Sequence, residues 1–440
     1  MPQTSVITAI DVGTDKCVTL IASHALATNE LRVLGVSAVP SRGMRKSQII
    51  DLEQVLGTIS ESLDGAERMA GMDVKSAYVS VSGAHIGSLN SKGVVAVASP
   101  DQEIIQEDVD RVIEAARAIS LSSEREIIHV IPKDFKVDSQ EGIKDPVGMT
   151  GVRLESEAHI ITGMSTALRN LEKCLHDLGL TVDGFVFAGL ASSQVVLSET
   201  EKELGIAVID IGAGSTSLCV YVDGSLEFTT CLPVGARHLT QDIALGCRVS
   251  IDIAEKIKLT LSSETHKPLV PHAGESKADF NKRRKKDDEL RLSELEQSEN
   301  TEVLSKRTIL EGIMLPRMQE VFGLVSERLK ANNLLSEIPA GVVITGGGAE
   351  TAQIAEVAKR ELNLPARIGK PVELQGLITD IHKPSYATSV GLLLHGKKRS
   401  APAAPSSGFA SLGTFFKSSN NNQSGSFLQK ITDLIRSLLP

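Results

Sequence analysis

Two short stretches 199 residues apart constrain this 440-residue chain more than anything else in it. Gly205 to Gly224 reads GIAVIDIGAGSTSLCVYVDG, with apolar, β-branched runs at Ile206 to Ile211 and Leu218 to Val222 on either side of a glycine-rich turn. The runs predict two buried strands, and Asp223-Gly224 predicts a tight turn after the second. Ile7 to Ala22, ITAIDVGTDKCVTLIA, repeats the pattern, setting Ile10 on Ile209, Asp11 on Asp210, Val12 on Ile211 and Gly13 on Gly212. Two copies of one hairpin predict two related α/β domains.

The turn residues suggest what such a pair would hold. Gly212 and Gly214 can take positive φ and present backbone N–H groups to a phosphate, while Ser215 and Thr216 add hydroxyls. Asp210, at a strand end, offers the hard oxygen that magnesium favours. In the first copy Thr14 and Lys16 stand where a hydroxyl and an ammonium reach phosphate oxygens, although Lys16 reads equally well as a solvated turn lysine. Taken singly, each stretch is also an ordinary hairpin with an exposed aspartate. The repeat favours the other reading, because two such domains facing across a cleft would grip a nucleotide from both sides, with two carboxylates converging on one metal.

A formal charge of −9 argues against nucleic-acid binding, which needs a basic face. The five cysteines, Cys17, Cys174, Cys219, Cys231 and Cys247, show no CxxC spacing, so neither a disulfide framework nor a zinc site is expected. With no signal-peptide pattern and no run of 18 apolar residues, a cytosolic location is expected.

Along the chain, Leu31 to Val39 predicts a third strand, Asp51 to Met69 a helix, and Ser76 to Gly83 a strand ending in glycine. From Ala84 to Thr162 the pattern changes to a small α/β insertion, with a helix at Gln106 to Ile119, strands at Ile127 to Pro132 and Val152 to Thr162, and a turn-rich stretch at Asp138 to Gly151. A helix at Thr166 to Leu178, a strand at Val182 to Phe187 and a helix opening at Ala188 lead back to the second hairpin. Leu239 to Leu261 has helical spacing and carries Glu255 and Lys258 three apart, able to clasp a ribose or simply to form a surface ion pair. Glu275 to Asn300 carries 15 charged residues, too polar for a core element. It reads as a solvated helix or insert, or as a docking surface. After a long amphipathic helix at Thr308 to Asn332, the strand Gly341 to Thr345, the triplet Gly346, Gly347 and Gly348, and a helix from Thr351 to Leu362 would bring backbone and a helix N-terminus close to a ligand. Tyr386 to Leu394 predicts a closely packed hinge helix.

Lys397 to Gly425 is rich in Ser, Asn, Gly, Pro and Ala and reads as a flexible linker. In the last segment Phe427, Leu428, Ile431, Leu434, Ile435, Leu438 and Leu439 make one apolar helical stripe, with Gln429, Lys430, Asp433 and Arg436 opposite. So short a helix is marginal in water and needs a surface. The tether and the flanking cations favour an anionic membrane over the chain's own body.

These features together resemble the actin/Hsp70/sugar-kinase superfamily. Within it, HVIPKDF (His129 to Phe135), QEGIKDPVGMTGVRLE (Gln140 to Glu155), VITGGGAE (Val343 to Glu350) and the terminal amphipathic helix make residues Ser5 to Gly396 look like the bacterial cell-division FtsA family. The resemblance implies an actin-like ATPase fold divided as subdomain 1A (1–83 and 163–204), an inserted subdomain 1C (84–162), 2A (205–238 and 308–370), 2B (239–307), a return to the first domain (371–396), the linker (397–425) and a membrane-targeting helix (426–440). It implies ATP and Mg2+ in the cleft, with Asp11 and Asp210 positioning the metal and Gly13, Thr14, Lys16, Gly212, Gly214 and Ser215 holding phosphates. Glu255 and Lys258 would then contact the ribose, and Gly346, Gly347 and Gly348 the adenosine. The implied partners are the C-terminal tail of FtsZ at subdomain 2B, later division proteins at 1C, further copies in a filament, and the cytoplasmic face of the inner membrane at the septum.

Ala188 stands where chaperone and kinase relatives carry an acid, so slow hydrolysis at most is expected, with ATP chiefly a structural ligand. A small-molecule kinase of the same superfamily is the rival reading, but it has no use for a tethered membrane helix.

Overall fold

In a computed structural model the described residues are 4–98, 101, 103–263, 272, 275–295, 303–372, 374 and 380–400. The terminal helix, with Phe427, Leu428, Ile431, Leu434, Ile435, Leu438 and Leu439, lies outside them, as does the linker from residue 401 onward.

The strands β1 (Thr4–Val12), β2 (Lys16–Ala25) and β3 (Glu30–Pro40) form an antiparallel meander. A small hairpin follows, β4 (Met44–Arg45) with β5 (Gln48–Ile49). Helix α1 (Leu52–Ala70) begins where the Asp51 carboxylate accepts the Gln54 N–H at 3.1 Å and stops at Gly71 in the left-handed conformation. Val55, Ile59, Leu63 and Ala66 recur at helical spacing and form its buried face. Next β6 (Ser76–Val81) lies parallel to β1.

The chain then leaves for β7 (Gly87–Ala96), α2 (Gln106–Arg117), β8 (Arg125–Val137), β9 (Gln140–Ile143) and β10 (Arg153–Met164). These strands make a four-stranded sheet in the order β7-β10-β8-β9, with its own core around Ile104, Val112, Phe135 and Leu154. The sequence pattern does not predict β7, because SLNSKG lacks apolar alternation on a half-exposed edge strand. Nor does it predict β9, which lies in the stretch expected to be turns. Helix α3 (Ser165–Asp177), β11 (Thr181–Phe187), α4 (Ala188–Val196) and α5 (Glu199–Leu204) complete the first half, whose main sheet runs β11-β6-β1-β2-β3.

The second half opens with the same meander, β12 (Ile206–Ile211), β13 (Thr216–Val222) and β14 (Ser225–Leu232). Two helices follow, α6 (Ala236–Cys247) and α7 (Ile251–Ser263). The sequence predicts one helix here, but Arg248 takes a left-handed φ of 55° and breaks it. The charged stretch forms α8 (Lys277–Asp288), which buries nothing. It continues as β15 (Glu289–Arg291) and α9 (Leu292–Leu295), and there the expectation of no core element fails, since Leu290 and Leu292 are buried in the second core. After β16 (Val303–Ser305), α10 (Lys306–Ile309) runs through a π turn at Leu310–Met314 into α11 (Leu315–Ala331). Then come β17 (Val342–Thr345), α12 (Ile354–Leu362), β18 (Ala366–Ile368) and α13 (Ala387–Ser400). The last runs four residues into the stretch read as linker.

This second sheet is ordered β14-β13-β12-β17-β18, with β17 parallel to β12 and β18 parallel to β17. Laid on β3-β2-β1-β6-β11 it has the same order and the same strand senses. The register agrees too: Asp11 lies opposite Val18, and Asp210 lies opposite Ser217. Helices α4 and α13 pack on each other beneath both hairpins, their Leu190, Val195, Val390 and Leu393 sharing a core with Val208 and Cys219 of the second sheet. The inserted sheet is fastened to β14, where the Ser88 hydroxyl donates to Thr229 O at 2.7 Å and His159 Nε2 lies 3.1 Å from Thr229 Oγ1.

Candidate functional site

The two glycine turns are superposable in their hydrogen bonding. Gly13 N–H donates to Lys16 O at 3.1 Å, and Gly212 N–H donates to Ser215 O at 2.9 Å, the same bond 199 residues on. The amides of these glycines are therefore spent on closing the turns. Nor do Gly212 and Gly214 take positive φ, which corrects the expectation from sequence. At Gly214 it is a close approach that needs glycine: a Cβ there would stand 2.5 Å from Thr14 Oγ1 and 2.9 Å from Lys46 Cα. With the Gly13 and Gly212 amides committed, the Thr14 and Ser215 hydroxyls become the natural donors. Thr14, Ser47, Ser82 and Ser215 converge, with Ser47 Oγ 2.7 Å from Ser215 Oγ and Ser82 Oγ 3.3 Å from it.

Each aspartate ends its strand beside these turns. Ser80 donates to Asp11 Oδ1 at 2.6 Å, and Ser389 to Asp11 Oδ2 at 3.4 Å. Thr388, the residue before Ser389, donates to Asp210 Oδ2 at 3.1 Å. One helix start, that of α13, thus touches both carboxylates through adjacent hydroxyls. Burial raises the Asp11 pKa despite the Ser80 hydrogen bond and the Lys16 charge. Burial also pushes Asp210 up to about 6, a hydrogen bond from Ser192 opposing this and the charge of Asp11 adding to it. Both groups accordingly gain from a cation between them. The Lys16 ammonium sits 3.8 Å from the Tyr386 ring centroid, and its own pKa is lowered by burial, against the pull of Asp11 and Glu350.

Gly346 joins this cluster from β17. It takes φ 82°, and a Cβ there would stand 2.3 Å from Asp210 Oδ1. Gly348 packs on Ile211 in the same way, whereas Gly347 has nothing nearer than 3.8 Å and is the open member of the triplet. The chain makes a 3-10 turn at Gly347–Glu350, so α12 begins three residues later than the sequence suggests. Glu255 and Lys258 are no plain surface pair. Lys258 is buried, and its ammonium donates to Glu255 Oε2 at 2.7 Å and to Thr240 Oγ1 at 3.0 Å, while Thr240 donates to Glu255 at 2.6 Å. Their polar contacts tie α7 to α6, with no bond to either aspartate or glycine turn among the described residues.

The structure therefore gathers Asp11, Thr14, Lys16, Asp210, Gly214, Ser215 and Gly346 around one locus. It adds Ser47, Ser80, Ser82, Tyr386, Thr388 and Ser389, which sequence reasoning misses. Some signal was present: SVSG alternates serines at one strand end, and Thr388-Ser389 is a polar pair at the start of an apolar helix.

Residues 83–162 match the family described as the SHS2 domain inserted in FTSA, and residues 207–391 match that described as cell division protein FtsA. Over 393 residues the chain is 35% identical to cell division protein FtsA of Pseudomonas aeruginosa, covering 89% of each sequence. It belongs to the cell division protein FtsA family. FtsA of Borreliella burgdorferi is 37% identical over 399 residues, covering 89% of this chain and 91% of its own, and FtsA of Escherichia coli K12 is 33% identical over 406, covering 89% and 90%. Among solved structures, one titled PilM-PilN type IV pilus biogenesis complex aligns with TM-score 0.59 at 15% identity, covering 89% of this chain and 98% of that one. This last likeness concerns the fold alone. The chain is an actin-like cell-division protein, two related α/β domains with an SHS2 insertion. Among the described residues no helix is long and apolar enough to cross a membrane.

Proposed function

We propose that this FtsA-family chain binds ATP with Mg2+ between its two glycine turns, polymerises on the cytoplasmic face of the inner membrane, and tethers the FtsZ ring there. The observation that carries the ATP reading is the pair of repeated turns with their aspartates dehydrated and joined to one helix. The donor set fits: two carboxylate oxygens suit a hard cation that keeps waters and phosphates as its other ligands. Asp11 and Asp210 would hold magnesium. Thr14, Lys16, Ser215 and the Gly214 backbone would face phosphates, while Gly13 and Gly212 shape the turns that their own amides close. Bound there, magnesium would neutralise phosphate charge. Gly347 is open to a nucleoside, and Glu255 with Lys258 would reach it only by giving up part of their bond with Thr240.

The FtsZ tail is assigned to residues 239–307, where Leu245 and Leu259 stand exposed on α6 and α7. Later division proteins are assigned to the insertion at 84–162. Membrane binding is assigned to the apolar stripe from Phe427 to Leu439, and location at the septum follows from the partners. Liposome co-sedimentation with and without Mg-ATP tests the reading, comparing the full chain with one truncated after Gly425. Filaments on lipid with the full chain and loss of binding on truncation are expected. Should both forms stay soluble, and ATP turn over only with an added hydroxylated small molecule, a kinase would replace this reading.

A further inference from the structure

The hairpin of β4 and β5 pairs Met44 with Ile49 and Arg45 with Gln48, so Lys46 and Ser47 are its entire turn. Both have left-handed backbones, with φ of 50° and 59°. Two-residue hairpins favour that geometry, but it normally falls to Asn, Asp or Gly, since other L side chains crowd the backbone there. A Lys-Ser turn in this conformation persists only if its surroundings hold it.

Those surroundings are the two glycine turns themselves. Ser47 N–H donates to Thr14 Oγ1 of the first at 2.9 Å, and the Ser47 hydroxyl lies 2.7 Å from Ser215 Oγ of the second and 3.4 Å from Thr14 Oγ1. The backbone of Lys46 occupies the space that a Cβ on Gly214 would need. On a third side, a Cβ on Gly83 would meet Ser47 O at 3.2 Å. A single side-chain oxygen is thus shared between hydroxyls from both halves of the molecule. That is the relation an oxygen of a phosphate gripped by both turns would have to them. Two hydroxyl oxygens 2.7 Å apart leave no room for a phosphate between them.

We propose that the Ser47 hydroxyl occupies the position of a terminal-phosphate oxygen, so that a nucleoside triphosphate must displace the Lys46–Ser47 turn to bind whereas a diphosphate need not. The inference rests on the nucleotide reading above and adds to it a gate that weighs against the third phosphate. The opposite role, a hydroxyl that holds the bound phosphate, predicts the opposite sign.

The test is calorimetric titration of the full chain with Mg-ADP and with the magnesium complex of the non-hydrolysable imido analogue of ATP. Wild type, Ser47→Gly and Ser47→Ala are compared. Ser47→Gly relieves the left-handed strain, so the fold is spared, and Ser47→Ala removes the hydroxyl while keeping that strain. Both variants are expected to bind the triphosphate about three- to tenfold more tightly, the worth of one hydrogen bond, with Mg-ADP within about twofold of wild type. Selective weakening of triphosphate binding would overturn the gate in favour of a phosphate ligand. Tightening by Ser47→Gly alone would overturn it in favour of backbone relaxation, and equal or absent effects on both nucleotides would overturn it outright. If wild type bound neither nucleotide, the nucleotide reading itself would fall and the gate with it.

Discussion

Replacing Asp210 by Asn should stabilise the ligand-free protein at neutral pH. Asp210 is 7% exposed, and burial pushes its carboxyl from the ordinary 3.8 up to about 6. A carboxyl whose pKa is higher in the folded than in the unfolded chain holds its proton more tightly when folded, so its ionisation costs stability. Well below pH 3.8 both states are protonated and nothing is lost. The cost grows as pH climbs from 3.8 through about 6, the window set by that shift, and is constant above it. A shift of about two units corresponds to about 3 kcal/mol at full extent. Asn keeps the shape but satisfies the Ser192 and Thr388 donors less well, an offset of about 1 kcal/mol. The net gain is about 2 kcal/mol at pH 7.5 and near zero at pH about 4.5. Because the chain has no Trp, urea unfolding followed by far-UV circular dichroism is the assay. Wild type and variant should separate at neutral pH and converge on acidification, and Mg-ATP should stabilise wild type alone. A variant less stable than wild type at neutral pH, or a gap that does not narrow with acid, would refute the reasoning.

Gly346→Ala should cost more than about 2 kcal/mol, since the residue has φ 82° and its Cβ would press on Asp210. Gly347→Ala, in open space, should stay within about 0.5 kcal/mol of wild type while weakening nucleotide binding, so the pair separates structural from ligand-facing glycine in one set of unfolding and titration curves. Glu255→Gln leaves the buried Lys258 ammonium with a neutral acceptor and should destabilise the protein by about 1 to 2 kcal/mol in urea unfolding. Leu434→Glu puts a charge in the middle of the apolar stripe and should abolish sedimentation with anionic liposomes while leaving nucleotide affinity unchanged. Continued sedimentation of that variant would rule out the helix as anchor.

Much of the fold was legible because it is built from local periodicity that occurs twice. The apolar runs ending at Asp11 and Asp210 forecast strands whose register does repeat at the same interval, and the helical spacing from Asp51 to Met69 forecast α1. Where the reading failed, local composition and tertiary use diverge. The strand β7 is polar because it is an edge whose serine and asparagine reach across to β14 rather than into a core. Leu290 and Leu292 sit in a charged run, yet Leu290 lies on the hairpin of β15 and β16, and both leucines turn into the second core. Two leucines among fifteen charges carry no periodic signal, so only the neighbours supplied by the fold reveal them.

The candidate site divides in the same way. A turn's own chemistry is local, so Asp11, Thr14, Asp210 and Ser215 could be read from spacing. The groups that decide how those residues behave come from elsewhere: Ser80 from β6, Ser47 from a hairpin 33 residues past Thr14, and Thr388 and Ser389 from a helix 178 and 378 residues from the aspartates they touch. The glycines show why the local reading also misjudged mechanism. Sequence suggests backbone freedom at Gly212 and Gly214, but neither uses it; what Gly214 supplies is absence of a side chain where Lys46 and Thr14 arrive from the other half. A cleft closed by contacts between halves has its affinity set by what must separate as well as by what binds. Ser47, invisible as a motif, therefore belongs to the energetics of the site as much as the aspartates do.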